Sequence, residues 1–460
     1  MEEIQALGHE RISKLLFKFS IPCVLGLLIG SFYNIIDQMF IGNSELGYLG
    51  NAATGVSFPI LCVANAFAWC IGDGAAAFLS ICAGRGDSDR AHKCVGTCIT
   101  ATALIGVVLA AVCIVWARPM MAMFGASDQT LDMAVEYFVI VAAFFPLYLL
   151  FNAMNSMIRA DGSPTFAMVA LLMGAVTNIA LDPLFIYVFH WGIAGAAWAT
   201  VIGQTLSFLA CAVYFRRPKT LRLTRRSFHP NKAVLREVVA LGGSTFITQL
   251  SVVILTLVCN VTLAKYGALS AYGQDIPISV FSIQTKVYTI VCNIVVGVVL
   301  GGQPIFGYNY GAGNYDRVHQ AYKLVLRVSL IVGCVAVAIF ELCPQIIIRL
   351  FGDGNALYYE FAVKTFRIYL SLTMISCLVK LTSVFFQAIG QPGRAMLTSL
   401  VRDVLCFTPL ALLLPALLER QTSGSGINGI LYAAPVSDMV ALVVILALTI
   451  PFFRRLKQKT

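Results

Sequence analysis

The chain has 460 residues, of which 59% are hydrophobic and only 12% are charged, about half the charged fraction of an average soluble protein. The apolar residues form long runs, such as 99–116, 138–157 and 287–313, which excludes the short alternation of a β-barrel. The net charge of +10 would suit a nucleic acid, but the placement of the basic residues described below argues against that partner. Since a bilayer core needs about 20 apolar residues per helix, the runs predict transmembrane helices.

Twelve apolar segments follow one another along the chain, and they predict an all-α membrane protein with two homologous lobes of six helices. The approximate segments are 12–41, 52–83, 92–116, 131–158, 165–189, 193–215, 234–264, 276–308, 318–343, 360–389, 395–418 and 427–453. The predicted organisation is an amino-terminal lobe over residues 1–215, a basic linker over 216–232 and a carboxy-terminal lobe over 233–460. Pro22, Pro146 and Pro409 lie inside segments and predict kinks there.

Four short motifs of the first half return at the same place in the second half, about 230 residues later. The pairs are residues 83–92 and 310–319, 124–125 and 351–352, 160–164 and 388–392, and 192–195 and 426–429. Because each half has an even number of helices, both halves enter from the same side, and the repeats are parallel. Transporters are often built from such halves, with the substrate path between them.

Lysine and arginine residues gather on one set of helix ends, which predicts the orientation of the chain. The loops on the opposite side contain only Arg118, Lys265, Arg349 and Arg420. Both termini and the basic linker are therefore expected in the cytoplasm, where the linker would contact lipid headgroups and not nucleic acid. The prediction is a multi-pass protein of the cell membrane.

Asp37 and Asp182 are the strongest functional candidates among the acids inside the apolar segments of the first half, because charges in hydrocarbon are costly. Each has polar neighbours at helical spacing or at comparable depth. The set is Tyr33, Asn34 and Asp37 in the first segment, Asn178 and Asp182 in the fifth, and Thr200 in the sixth. Two carboxylates with amide and hydroxyl oxygens suit a small hard cation, either H⁺ or Na⁺. The alternative is two unrelated polar residues, each hydrogen-bonded to a neighbouring helix.

Further polar, aromatic and methionine side chains are candidates for a substrate cavity. Ring faces and thioethers attract flat apolar cations, although the same residues can simply pack against helices or lipid. The candidates are Phe151, Asn152, Met154, Asn155, Phe281 and Gln284, together with Lys286 and Lys380 in the eighth and tenth segments. The two lysines are expected to line a water-filled cavity, with coupling groups or lysines held by helix carbonyls as the alternatives.

The remaining embedded charges have less specific interpretations. Asp73 lies between two glycines and either lines a cavity or bonds backbone at a close helix contact. Arg402 and Asp403 are adjacent and are expected to neutralise each other, while Asp438 is expected near a helix end or in a local hydrogen bond. The sequence lacks a His or Cys set with metal-ligand spacing, so no metal or cofactor is expected beyond the coupling ion.

Four motifs carry a resemblance to a known family. They are residues 34–42 (NIIDQMFIG), 83–87 (AGRGD), 159–164 (RADGSP) and 178–183 (NIALDP). With twelve helices in two halves, the chain resembles the MATE (multidrug and toxic compound extrusion) family, in particular its MepA-like bacterial branch. The resemblance implies a V-shaped pair of lobes around a cavity that opens alternately to each side. It also implies an antiporter, not an enzyme, that exports small amphipathic organic cations in exchange for H⁺ or Na⁺.

The resemblance assigns the cation site to Asp37, Asn178, Asp182 and Thr200, with Tyr33 nearby. Some family members carry further acids on the seventh and tenth helices, but this chain has Lys380 in its tenth segment, and its seventh segment has no acid beyond Glu237 in the first turn. Coupling is therefore expected in the first lobe, and a monomer is expected. The alternative is a lipid-linked oligosaccharide or lipid flippase of the same superfamily, which the two embedded lysines favour and the paired acids disfavour. A membrane enzyme would need clustered acids for Mg²⁺ or a His–Asp pair, and the sequence offers neither.

Overall fold

The structure is a computed structural model of the chain. It describes residues 2–216, 218–219, 227, 230–273, 275–350, 356–422 and 424–458. Most of the predicted basic linker lies outside the described residues, as do residues 351–352 of the second repeat pair. Every regular element among the described residues is helical.

Six membrane spans of the first half follow a short amino-terminal helix. The helices are α1 (Glu2–His9), α2 (Ile12–Gly42), α3 (Gly47–Arg85), α4 (Ser88–Val115), α5 (Ala117–Met123), α6 (Leu131–Ala143), α7 (Phe145–Ala160), α8 (Pro164–Pro183) and α9 (Gly192–Tyr214). A π-helical turn, Leu184–Val188, continues α8. The fourth span is therefore made of two helices, α6 and α7.

The second half repeats this order. Its helices are α10 (Lys232–Ala268), α11 (Asp275–Gly311), α12 (Tyr315–Leu342), α13 (Pro344–Leu350), α14 (Ala356–Tyr369), α15 (Thr373–Ala388), α16 (Pro392–Leu400), α17 (Thr408–Gln421) and α18 (Gly426–Lys457). A π-helical segment, Val401–Phe407, joins α16 to α17. The described part of the chain has ten helices long and apolar enough to cross a membrane, or twelve if each of two bent pairs forms one span. The predicted fold of twelve helices in two lobes is confirmed.

The two lobes share their irregularities as well as their helices. The fourth span bends by 55° between α6 and α7, and the tenth bends by 47° between α14 and α15. The fifth and eleventh spans both contain π-helical turns, which occur frequently at functional sites. Pro146 follows the first bend and lacks an amide proton for the preceding turn, so it accounts for that break, as its position in the sequence predicts.

The repeated sequence motifs mark helix ends that require glycine. Gly86 and Gly313 end α3 and α11 with φ angles of +73° and +78°, and Gly162 and Gly390 have φ angles of +79° and +80° in the turns before α8 and α16. Residues with a side chain rarely adopt this left-handed backbone conformation, whereas glycine does so at no steric cost. The motif glycines therefore repeat because the same two helix-terminating turns occur in both lobes.

The lobes are joined at the end of the molecule that carries both termini, which we call the terminal end. The apolar core of the first lobe there includes Val234 and Val238 from the start of α10. The matching core of the second lobe includes Leu15 and Phe19 from the start of α2. Each lobe thus buries the beginning of a helix that belongs to the other lobe.

Backbone contacts at glycines bring the two lobes together at the terminal end. A Cβ atom at Gly242 of α10 would lie 1.7 Å from the carbonyl oxygen of Cys70 in α3. On the other helix pair, a Cβ atom at Gly301 of α11 would lie 2.5 Å from the Cα atom of Ser20 in α2. Small residues allow this close approach of membrane helices, so the helices meet without intervening side chains.

Two further contacts form the floor of the space between the lobes. Asn293 of α11 donates a hydrogen bond of 2.7 Å from Nδ2 to the hydroxyl of Ser31 in α2. The rings of Phe67 in α3 and Phe246 in α10 pack edge to face with centroids 5.1 Å apart. The other inter-lobe contacts described here lie between this floor and the terminal end. The molecule is therefore a V whose closed end holds the termini, and we call the open part the cleft.

The amino-terminal helix is attached to the second lobe. Arg317 donates from Nη2 to the carbonyl oxygens of Leu7 (3.1 Å) and Glu10 (2.6 Å), and Asn309 donates from Nδ2 to the Leu7 carbonyl (3.0 Å). The Leu7 carbonyl belongs to the last turn of α1 and the Glu10 carbonyl directly follows it, where a cation is favourable because of the helix dipole. Arg317 and Asn309 therefore fix α1 across the closed end of the V.

Candidate cation site and inter-lobe cleft

Two carboxyl groups meet in the wall of the first lobe. Asp182 is fully buried near the end of α8, and Asp37 reaches it from α2, so that the two side chains lie within hydrogen-bonding range of each other. Two carboxylates so close repel each other unless a proton or a small cation lies between them. Helices α2 and α8 thus bring together the two acids that the sequence singles out.

Asn178 connects this acid pair to α9. It lies one turn before Asp182 and is only 2% exposed. With its amide oriented to satisfy both ends, Nδ2 donates to Oδ2 of Asp182 (3.2 Å) and Oδ1 accepts from the backbone N–H of Thr200 (3.2 Å). The predicted Asn178, Asp182 and Thr200 therefore form one buried group with Asp37.

One oxygen of the acid pair is left without a partner. Oδ1 of Asp37 is buried and has no hydrogen bond among the described residues. A buried unpaired carboxylate oxygen is costly, and a bound proton or metal cation would satisfy it. The described residues contain no group of three or more His, Cys, Asp or Glu able to hold a metal ion. Two carboxylates with neutral oxygens suit one small monovalent cation better than Ca²⁺ or Zn²⁺, which take more ligands or nitrogen and sulfur.

Two tyrosines lie near the acid pair, and only one of them was predicted from the sequence. Tyr33, as predicted, lies within electrostatic range of Asp37 and Asp182. Tyr137 of α6 is buried, also lies within electrostatic range of both acids and shares a hydrogen bond with Thr200. Tyr137 is one of only two hydroxyl-bearing residues in the apolar run 137–150, a signal that could have identified it. Asn34 does not join this group, because its side chain is exposed and its Nδ2 donates to the carbonyl of Gly30 in its own helix (2.6 Å).

Asp73 belongs to a buried ion pair in the first lobe. Its Oδ1 accepts hydrogen bonds from Ser156 (2.8 Å) and from Nη2 of Arg159 (3.2 Å). Arg159 also donates to Oδ1 of Asn155 (2.9 Å), whose own amide donates to the carbonyl of Ala167 (2.8 Å). Asn155, predicted as a cavity residue, is instead engaged in this network, which joins α3, α7 and α8.

Most of the other predicted cavity residues are enclosed in the helix packing of this conformation. Phe151 and Met154 are buried in the apolar core of the first lobe. Asn152 accepts a hydrogen bond from the indole of Trp69 (3.2 Å), and Phe281 packs edge to face on Tyr369 in the core of the second lobe. The prediction that Phe151, Met154 and Phe281 line a cavity is therefore wrong for this conformation, because they pack in the lobe cores. Asn152 is only half-buried, and its place at the cavity stays a prediction.

The two embedded lysines differ from these enclosed side chains. Lys286 is exposed on α11, and Lys380 is half-buried on α15, within electrostatic range of Asp403. Among the described residues, neither lysine has a hydrogen bond or an ion pair. Gln284 is 1% exposed and points into the second lobe, where its Oε1 has no partner among the described residues.

A second ionic network lies deep in the second lobe. Arg402 donates to Asp403 (2.6 Å) and from Nε to Asp438 (2.7 Å), and Ser376 adds a hydrogen bond of 2.9 Å to Asp438. The predicted neutralisation of Asp403 by Arg402 is confirmed. The interpretation of Asp438 is wrong: it lies in the middle of α18 and binds an arginine 36 residues away, a contact that only the tertiary fold creates.

Similar proteins extend over nearly the whole chain. The multidrug export protein MepA of Staphylococcus haemolyticus is 25% identical over 446 residues, which is 95% of this chain and 93% of that protein. MepA of Staphylococcus aureus strain MRSA252 is 23% identical over 441 residues, with the same coverage.

Solved structures share the fold at 22% identity. They include a MATE protein in the bent conformation, with a TM-score of 0.90 over 100% of this chain and 99% of that chain. An outward-facing multidrug resistance MATE transporter of the MOP superfamily gives a TM-score of 0.89 over the same shares. A MOP superfamily transporter from Pyrococcus furiosus, described as having a binding pocket of reverse polarity, gives 0.89 over 99% of each chain.

The sequence model of the MatE family matches twice, once in each lobe, at residues 22–184 and 245–413. The first match contains Asp37 and Asp182, and the two matches follow the same division into halves that the repeated motifs show. Together they cover more than half of the chain. The chain therefore belongs to the MatE family.

Proposed function

We propose that the chain exports amphipathic organic cations in exchange for H⁺ or Na⁺, by alternately exposing the inter-lobe cleft to the two sides of a membrane. Members of its family are transporters and not enzymes, and the MepA relatives are multidrug export proteins. The observation that carries the proposal is the pair of carboxyl groups of Asp37 and Asp182. They meet in the wall of one lobe with an unsatisfied oxygen that a small cation would satisfy.

The acid pair couples ion binding to the shape of the first lobe. A cation bound between Asp37 and Asp182 draws α2 toward α8, whereas two unshielded carboxylates push these helices apart. The π-helical turn Leu184–Val188 directly follows Pro183, so α8 has an irregular segment next to the site that can absorb the displacement. Drug and ion then compete, because each shifts the balance of conformations by its different affinity for the two states.

The conformation described here suits the release side of such a cycle. The cleft is closed at the end that holds the termini, and the basic loops predict that this end faces the cytoplasm. The open side then faces outward, and the likeness to an outward-facing transporter structure supports this assignment. We infer a monomer in the cell membrane with both termini in the cytoplasm.

Transport in proteoliposomes tests the proposal. We expect Asp37→Asn and Asp182→Asn to abolish ethidium uptake into inside-out proteoliposomes driven by an imposed proton or sodium gradient, while the proteins reconstitute normally. Asp132→Asn is the matched control, because Asp132 forms an exposed surface pair with Arg118. Full gradient-driven uptake by the Asp37 variant would reject the coupling role, and separate gradients of H⁺ and Na⁺ identify the ion.

A lipid or lipid-linked oligosaccharide flippase is the second candidate. The observation in its favour is the unpaired lysines at positions 286 and 380, since a pyrophosphate headgroup would need cationic partners. The described relative from Pyrococcus furiosus also shows that pocket polarity varies within this fold. Reconstituted protein that moves a fluorescent phospholipid between leaflets, and fails to move ethidium, would establish this alternative.

A further inference from the structure

One face of α11 is polar and exposed along the cleft. At helical spacing it presents Ser279, Ser282, Lys286, Thr289 and Asn293. The first four are exposed, and Asn293 is half-buried where it reaches Ser31. Among the described residues, none of the large exposed apolar side chains belongs to α11. A helix face against lipid would be apolar, so this face is turned to water.

The direction of this polar face follows from the contacts farther along the same helix. Asn293 donates to Ser31 of α2, and Gly301 lies against Ser20 of the same helix. Lys286 precedes Asn293 by seven residues, so it lies on the same side of α11, about two turns or roughly 10 Å farther into the open part of the V. Its ammonium group therefore projects toward the cleft and not into the second lobe.

The opposite wall of the cleft carries the first-lobe acids. On α2, Ser31, Asn34 and Gln38 share the face that contacts α11, and the latter two are exposed. Asp37 lies about 100° around the same helix from its neighbour Gln38, and its side chain reaches Asp182 inside the first lobe. The cleft thus has a wall with two acids behind a polar surface, and it faces a wall with one exposed lysine.

Lys286 lies inside a membrane span, where its charge requires water or an anionic partner. It has no hydrogen bond or ion pair among the described residues, and Lys380 on α15 does not share its helix or its face. A lysine in a membrane span is costly unless it meets water or an anion, and it is a functional candidate for that reason. Its flexible stem lets the ammonium group follow an anion within the cleft.

We propose that Lys286 is a specificity-determining residue of the cleft, whose ammonium group binds the acidic group of those transported compounds that carry one. The cationic part of such a compound faces the first lobe, and its carboxylate forms a charge-assisted hydrogen bond with the ammonium group of Lys286. This inference rests on the proposed export of organic cations and adds the second charge that the substrate carries.

A matched pair of dyes tests the inference by binding, without a gradient. Rhodamine B carries a free carboxylate beside its cationic ring system, and its ethyl ester keeps the cation and lacks the acid. Fluorescence polarisation with the purified full chain in detergent gives the Kd of each dye. We expect Lys286→Gln to weaken rhodamine B binding by about ten- to a hundredfold, the usual value of a hydrogen bond to a charged group, and to leave ester binding within about twofold.

Controls separate recognition of the acid from a general effect of charge. Lys286→Arg is expected to keep most of the affinity for rhodamine B. Lys265→Gln, which removes an exposed lysine at the end of α10 in the same lobe, is expected to change neither dye. Equal losses for both dyes in Lys286→Gln, or no loss for either, would overturn the proposal.

Two further outcomes are distinguishable. If Lys286→Gln weakens binding of a short-chain fluorescent phosphatidylethanolamine and leaves rhodamine B unchanged, the lysine serves a lipid phosphate and the proposal is wrong. If the ester binds normally but no variant or wild-type protein moves it in proteoliposomes, the export function fails while the role of Lys286 in binding stands.

Discussion

The closed end of the V depends on contacts that leave no room for a single methyl group, and Gly242→Ala tests this directly. The new Cβ atom would lie 1.7 Å from the carbonyl oxygen of Cys70 and 2.6 Å from its carbon. Both are backbone atoms in a continuous helix, so no side chain can move aside. To reach ordinary van der Waals contact, α10 must shift away from α3 by roughly 1.5 Å.

The expected effect is a shift of the conformational equilibrium. Overpacking of this kind costs about 1–3 kcal/mol, which outweighs the gain of up to about 1 kcal/mol from replacing glycine by alanine in a helix. A net loss of about 1–2 kcal/mol raises the population with separated helices by about 5- to 30-fold.

Cys70 is a native reporter of that separation. It is buried at the contact, with Sγ 3.9 Å from the carbonyl oxygen of Val239 in α10. We expect Gly242→Ala to accelerate maleimide alkylation of Cys70, identified by peptide mass spectrometry, by the same 5- to 30-fold. Gly243→Ala is the matched control, because its Cβ atom would meet only the flexible side chain of Met396 at 3.3 Å. Equal alkylation rates in the two variants would refute the steric argument.

Two further predictions concern the second lobe. Replacing Arg402 with Met leaves the carboxylates of Asp403 and Asp438 buried without their cation, so we expect a loss of about 3–5 kcal/mol of stability and a lower melting temperature in detergent. The same change at the exposed Arg118 should cost less than about 1 kcal/mol, and similar melting curves would contradict this account. Replacing Arg317 with Ala removes its hydrogen bonds to the carbonyl oxygens of Leu7 and Glu10. Because these bonds hold α1 in place, we expect faster proteolysis before residue 12 with unchanged cleavage elsewhere. Unchanged proteolysis there would show that apolar packing alone holds α1.

Local and periodic features of the molecule are predictable from the sequence. Length and hydropathy identify the spans, and the glycine motifs identify the turns, because these signals are contained in neighbouring residues. The acid pair is also predictable: an aspartate in hydrocarbon is rare enough to attract attention at both position 37 and position 182.

Side-chain direction and long-range partners are less predictable. Phe151 and Met154 have the chemistry of a cavity wall, but whether they face a cleft or a core depends on the rotation of α7. Periodicity does not fix that rotation, because the polar Asn155 and Arg159 of the same helix also bond within the lobe. Asp438 offers no sequence signal for Arg402, since the π-helical segment Val401–Phe407 and α18 meet only in the folded lobe. The place of Tyr137 at the site was not predicted, because the residue lies in an apolar run, although its hydroxyl bonds with Thr200.

If export follows the exchange proposed above, the two carboxyl groups at the acid site also determine how it responds to membrane voltage. Asp37 and Asp182 together can take up at most two monovalent ions, so exchange for a singly charged drug moves either no net charge or one. A zwitterionic drug carries no net charge, and each ion exchanged for it then adds a full elementary charge, worth about 2.3 kcal/mol per 100 mV. At the same number of ions per drug, export of a zwitterion would therefore draw on one more elementary charge of the electrical potential than export of a monovalent cation.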